Sequence, residues 1–75
     1  MAGGPVDVAV QRLPVELGAF LKLARIVASG GEAKRAVQDG RVWVNGSCEQ
    51  RRRRLLAAGD VVAANGHLYR VGAGS

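Results

Sequence analysis

One cysteine, Cys48, is all the chain has, so it can form no intrachain disulfide and cannot assemble a zinc site from thiolates. A reducing cytoplasm is the compartment that fits. Aromatic residues are also scarce: Phe20, Trp43 and Tyr69 are the three, and the core is expected to be built from Val, Leu and Ala. No apolar run approaches the roughly 20 residues that a membrane span needs, and Met1 to Pro5 lacks the charged and apolar blocks of a secretory signal peptide. A cytoplasmic protein without a membrane partner is therefore expected. His67 is the one histidine and has no second His or Cys close by in sequence, so neither a metal site nor a Cys–His nucleophile is expected. Six Asp and Glu stand against eleven Lys and Arg, leaving a net charge of +5 on 75 residues. So small a chain is a single domain with a small core, and its excess charge points to a polyanionic partner.

What the chain does have is concentrated between Ser29 and Gly46. Ser29 and Glu32 have the spacing of a capping box, in which hydroxyl and carboxylate satisfy backbone N–H groups left open at a helix start. Gly40 supplies the left-handed residue that closes such a helix. Val42 and Val44 then alternate with Arg41, Trp43 and Asn45 as in a strand, and Asn45-Gly46 suits the positive φ angles of a two-residue hairpin turn. A short helix thus feeds directly into a hairpin.

Residues 1–5 and 72–75 read as flexible tails around a domain spanning 6–71. Val6, Val8 and Val10 alternate with polar positions, which predicts a short strand with those valines inward. Pro14 fits the first turn of a helix whose dipole Glu16 would complement, and Leu17, Phe20, Leu21 and Ala24 mark its buried stripe. The capped helix turns Ala33, Ala36 and Val37 inward. Ser47 to Gln50 reads as a polar strand entering a basic loop, Gly59-Asp60 as a turn, and Asn65-Gly66 as a second hairpin turn before His67 to Val71. The expected fold class is α+β, with two short helices packed against a small antiparallel sheet.

From Glu16 to Val62 the chain resembles the S4 RNA-binding domain, also called the alpha-L motif. Leu17 to Leu23, Ser29 to Lys34, Gly40 to Gly46 and Leu56 to Val62 carry the resemblance by their order and spacing. The Ser-Gly-Gly-Glu-Ala-Lys start, the arginines after Glu49 and the shortness of the flanks look most like the small stand-alone bacterial S4-domain proteins of the YbcJ type. The family pattern often has Arg directly after the capping Ser; here that position is Gly30. The resemblance implies a non-enzymatic protein without cofactor that grips structured RNA, ribosomal or transfer, in ribosome assembly or translation. A monomer is expected, with the ribosome as a further partner. The alternative is a protein-interaction adaptor on the ribosome or on an RNA enzyme. An RNA-modifying enzyme fragment would need catalytic sequence that is lacking.

Spacing ranks the candidate RNA contacts. Lys22, Arg25 and Lys34 have no carboxylate three or four positions away, whereas Arg35 has Glu32 and Asp39 within helical reach and its charge is expected to be taken up by them. Lys34, Gln38 and Arg41 fall roughly along one line, with Ser29 at the helix start. Arg51, Arg52, Arg53 and Arg54 are the densest charge, and each guanidinium offers donors matched to phosphate oxygens; in a strand, alternate members would face opposite ways. Trp43 lies opposite the inward Val42 and Val44, where it either stacks on a base or packs against the arginine loop or a terminal strand.

Overall fold

A computed structural model describes residues 4–74. The chain runs β1 (Val6–Val10), β2 (Val15–Glu16), α1 (Leu17–Leu23), α2 (Gly30–Gln38), β3 (Val42–Val44), β4 (Ser47–Cys48), β5 (Leu55–Leu56), β6 (Val61–Ala64) and β7 (His67–Ala73). Five strands form one sheet in the order β1-β7-β6-β3-β4, and β2 pairs with β5 in a separate two-stranded ladder. Helices on a small sheet are what the residue pattern predicted. The direction of one pair was not: β1 lies parallel to β7, while the other pairs are antiparallel. A period-two alternation marks a strand's faces and carries no information about its direction, and the whole chain between β1 and β7 serves as the crossover that a parallel pair requires.

The sheet buries Val10, Val42, Val44, Val62, Ala64 and Val71 against Leu17, Phe20 and Leu21 of α1 and Ala33 and Val37 of α2, with Leu56 completing the cluster. Phe20 is its largest fully buried side chain, and truncation there to Ala would cost about 3–5 kcal/mol. Ala24 and Ala36 are only partly buried at the margin. In β1 the inward set fades along the strand, from buried Val10 through half-buried Val8 to Val6 at 56% exposure.

Three local expectations are corrected. Pro14 does not open the first helix: Val15 and Glu16 pair with Leu56 and Leu55, and α1 starts at Leu17. Glu16, its N-cap, makes no side-chain cap; instead the N–H groups of Leu17 and Gly18 donate to the carbonyls of Arg54 and Arg52, each at 2.8 Å. Ordered chain continues past residue 71, because Gly72 and Ala73 pair with Ala9 and Val10 and the Gly74 N–H donates to the Val10 carbonyl at 2.8 Å. Residues 1–3 and 75 of the expected tails lie outside the described residues. In the capping box, Ser29 Oγ accepts from the Glu32 N–H at 3.2 Å, but the Glu32 carboxylate reaches one residue further back, to the Ala28 N–H at 2.6 Å.

Both helices end alike. The Arg41 N–H donates to Ala36 and the Gly40 N–H to Val37, around Gly40 at φ +75°; the Ile26 N–H donates to Leu21 and the Arg25 N–H to Lys22, around Arg25 at φ +59°. This is the Schellman arrangement, and at the end of α1 its left-handed position holds an arginine rather than glycine.

Candidate nucleic-acid interface

The ladder of β2 and β5 sets the arginine run beside α1. Arg51 to Arg54 form a turn, not a strand, with the Arg54 N–H donating to the Arg51 carbonyl at 3.1 Å, so strand alternation does not govern where they point. Arg52 sits against Gly18, where a Cβ would stand 3.4 Å from the Arg52 carbonyl oxygen. The Gly18 N–H, donating to that carbonyl at 2.8 Å, ties loop and helix together.

Two grooves meet at this point. One, between the starts of the two helices, is lined by Glu16, Gly18, Lys22, Gly30, Ala33 and Arg52. The other is lined by Gln38, Gln50, Arg51 to Arg54 and Leu55. Arg52 borders both. Gly30, Lys34 and Gln38, spaced by four, form the face of α2 that runs from the first groove to the second. The result is one polar track holding Lys22, Lys34, Gln38 and the arginine loop.

The four arginines are not equivalent. Arg51 Nε lies 3.1 Å from Glu49 Oε2 and the Arg54 guanidinium 2.9 Å from Glu49 Oε1, while Arg53 Nε stands 3.5 Å from Glu16. Arg52 has no carboxylate partner among the described residues. Arg54 is largely withdrawn, with 33% of its side chain exposed, whereas Arg51 and Arg53 remain open at 79% and 80%. Glu49 itself is buried, and hydrogen bonds first from Arg54 and then from Arg51 hold its carboxyl at about 2, below its ordinary 4.5.

Arg35 and Arg41 depart from the expected arrangement. Arg41 does not extend the Lys34–Gln38 line, because the left-handed turn at Gly40 redirects the chain; with Arg35 it borders a separate cleft that includes Leu21, Val42, Ala64 and Asn65. The carboxylates expected to occupy Arg35 are used elsewhere, Glu32 on the Ala28 N–H and Asp39 at 3.8 Å from Arg41. Arg35 is therefore a cation without an ion-pair partner among the described residues, as are Lys22, Arg25 and Lys34.

The S4 domain family matches residues 8–72. The chain belongs to that family. It is similar to RlbA of Bacillus subtilis (strain 168), named a probable ribosome maturation protein, at 46% identity over 52 residues, which is 69% of this chain and 73% of the relative. YbcJ of Escherichia coli (strain K12) is 42% identical over 57 residues, covering 76% and 81% of the two chains. The solution structure of YbcJ, described as revealing an alpha-L motif involved in RNA-binding, superposes with a TM-score of 0.71 at 35% identity, over 97% of this chain and 94% of that one.

Within this S4 domain, Ser29 has its hydroxyl oxygen engaged as a cap, and Asn45 is fixed in place: its Oδ1 accepts from the Val61 N–H at 2.9 Å and its Nδ2 donates to Asp60 at 3.1 Å. Trp43 is 41% exposed on the sheet face away from the helices, opposite Cys48 and Ala63 in register, and Leu68, opposite Ala63, is 44% exposed beyond them. That face is separate from the polar track. Sequence reasoning left Glu49 with no more than a general cap, pair or turn role, because Glu49 to Arg54 lie outside helix and strand, where no fixed spacing says which side chains meet.

Proposed function

We propose that this S4 domain binds structured RNA, ribosomal or transfer, as a non-enzymatic cytoplasmic monomer acting in ribosome assembly or translation. The observation that carries the reading is that Lys22 and Arg52, which line the first groove, and Lys34, on the α2 face between Gly30 and Gln38, stand without carboxylate partners among the described residues, with Arg51 exposed on the second groove and Arg25 at the close of α1. Side chains of this kind, spaced along two connected grooves, meet successive phosphates, and the Gln38 amide adds a group that hydrogen-bonds sugar or base edges. The names of the relatives, one of ribosome maturation and one tied to RNA-binding, support the same reading.

The test is binding to purified total ribosomal RNA across a salt series. Neutralising about four or five phosphates gives a log–log slope of about −3 to −4.5. The triple variant Lys22→Gln, Lys34→Gln, Arg52→Gln is expected to bind at least about ten-fold more weakly with a shallower slope. A flat salt dependence, or wild-type binding by the triple variant, overturns the reading.

A second reading, an adaptor that docks a protein partner, is favoured by the exposed Trp43 and Leu68 across the outer sheet face. Trp43→Ala separates the two. An adaptor loses ribosome association while purified RNA is still bound; an RNA binder working through the track keeps both.

A further inference from the structure

Glu49 stands at the foot of the arginine loop with 8% of its side chain exposed. Both of its carboxylate oxygens are used, and both by the residues that follow it. Oε2 accepts from the Arg51 backbone N–H and from Arg51 Nε, each at 3.1 Å, and Oε1 accepts from Arg54 at 2.9 Å. Its own N–H donates to the Val42 carbonyl at 2.9 Å, which fixes it to β3. The loop is thus held at both of its ends by one carboxylate. From the other side it is held by the carbonyls of Arg52 and Arg54, which accept from α1.

A buried acid beside four arginines lowers the charge of a surface read here as meeting a polyanion, and simple electrostatics makes it a liability. Its geometry says otherwise. Without it, four guanidiniums on adjacent residues repel one another and their side chains spread into solvent, and ordering them at the moment of binding costs affinity. With it, Arg54 is pinned, Arg51 is held through Nε with 79% of its side chain still exposed, and Arg52 is left at the junction of the two grooves. The depressed pKa of Glu49 agrees with a carboxylate that stays ionised at any physiological pH.

We propose that Glu49 is a positioning residue for RNA, one that raises affinity for a polyanion by fixing Arg51 and Arg54 so that Arg52 faces the groove beside Lys22. The proposal rests on the RNA-binding reading above. It makes a prediction of inverted sign: Glu49→Gln raises the net charge from +5 to +6 and weakens binding.

The experiment compares Glu49→Gln, Arg54→Lys and the Lys22, Lys34, Arg52 triple variant with the wild type, using purified total ribosomal RNA and an amide NMR spectrum of each protein. Glu49→Gln is expected to keep the fold, lose about three- to ten-fold in affinity, and show a salt slope shallower by about one despite its extra positive charge. Arg54→Lys keeps the charge and loses the planar fork, and a similar loss is expected; it carries the test if Glu49→Gln unfolds. Binding by folded Glu49→Gln that equals or exceeds wild type, or unchanged affinity in Arg54→Lys, overturns the proposal. If the triple variant weakens in either case, only the positioning role fails; if the triple variant also binds normally, the RNA surface itself has been misassigned.

Discussion

The backbone N–H of Gly18 donates to the carbonyl oxygen of Arg52 at 2.8 Å, joining the first turn of α1 to the tip of the arginine loop. This bond uses the main chain of Arg52 and leaves its side chain for a ligand. Arg52→Gln therefore removes a charge and keeps the framework. Thermal stability is expected to stay within about 0.5 kcal/mol of wild type, while RNA affinity falls and the salt slope drops by about one. A calorimetric scan and a salt titration check both halves.

Arg25 is in the left-handed region at φ +59°, where an L side chain costs about 1–2 kcal/mol. It occupies the position that glycine ordinarily takes after a helix. Strained residues of this kind cluster at functional sites, and Arg25 is a cation without an ion-pair partner among the described residues. Arg25→Gly is expected to raise the melting temperature, by a few degrees for about 0.5–1 kcal/mol after the greater freedom of glycine in the unfolded chain is deducted. RNA affinity is expected to fall about three-fold through the loss of one phosphate contact. A variant that gains stability and binds normally would remove Arg25 from the interface.

Much of this architecture was legible because its signals are local. Ser29, Gly40, Asn45-Gly46 and Asn65-Gly66 each declare a backbone conformation, and the two asparagines indeed have φ of +52° and +53°. The buried stripes of α1 and α2 followed from periodicity. What escaped was set by distant partners. Val15 and Glu16 became a strand because Leu55 and Leu56 lie beside them, and β1 turned out parallel because of where β7 passes. The same limit applied to the site: the arginine run was legible as charge, but its division into pinned Arg54, oriented Arg51 and groove-lining Arg52 depends on Glu49 being buried and bonded to β3. Helical spacing assigned Glu32 and Asp39 to Arg35, yet backbone capping and Arg41 claimed them instead.

Acid should loosen the loop before it unfolds the core. The Glu49 carboxyl has a pKa of about 2 in the folded chain against an ordinary 4.5, so between those values the unfolded chain binds the extra proton. Its stabilising contribution is therefore complete above about pH 4.5 and is lost as pH falls through about 2. Exchange-protected amides at Leu17, Gly18 and Arg54 are expected to lose protection across that window in the wild type. In Glu49→Gln the corresponding step is absent, and a step of equal size in the variant would assign the transition to another carboxylate.

Gly30 opens α2 at the edge of the groove that also holds Lys22 and Arg52, and a Cβ built there meets nothing within 4 Å. Its φ lies outside the left-handed region, so a side chain brings no backbone strain. Gly30→Arg gains up to about 1 kcal/mol of helix propensity and loses about 0.3–1 kcal/mol by placing a cation at the positive end of the helix dipole. Stability is therefore expected to change little. Binding changes more, because the new guanidinium stands beside the existing cations only at a cost that a phosphate relieves: affinity is expected to rise about three- to ten-fold at low salt, with a slope steeper by about one. Tighter binding without a steeper slope would mean that the arginine acts through helix stability; an unchanged affinity would mean that the start of α2 faces solvent in the complex and that the phosphates follow Lys22 and Arg52 alone.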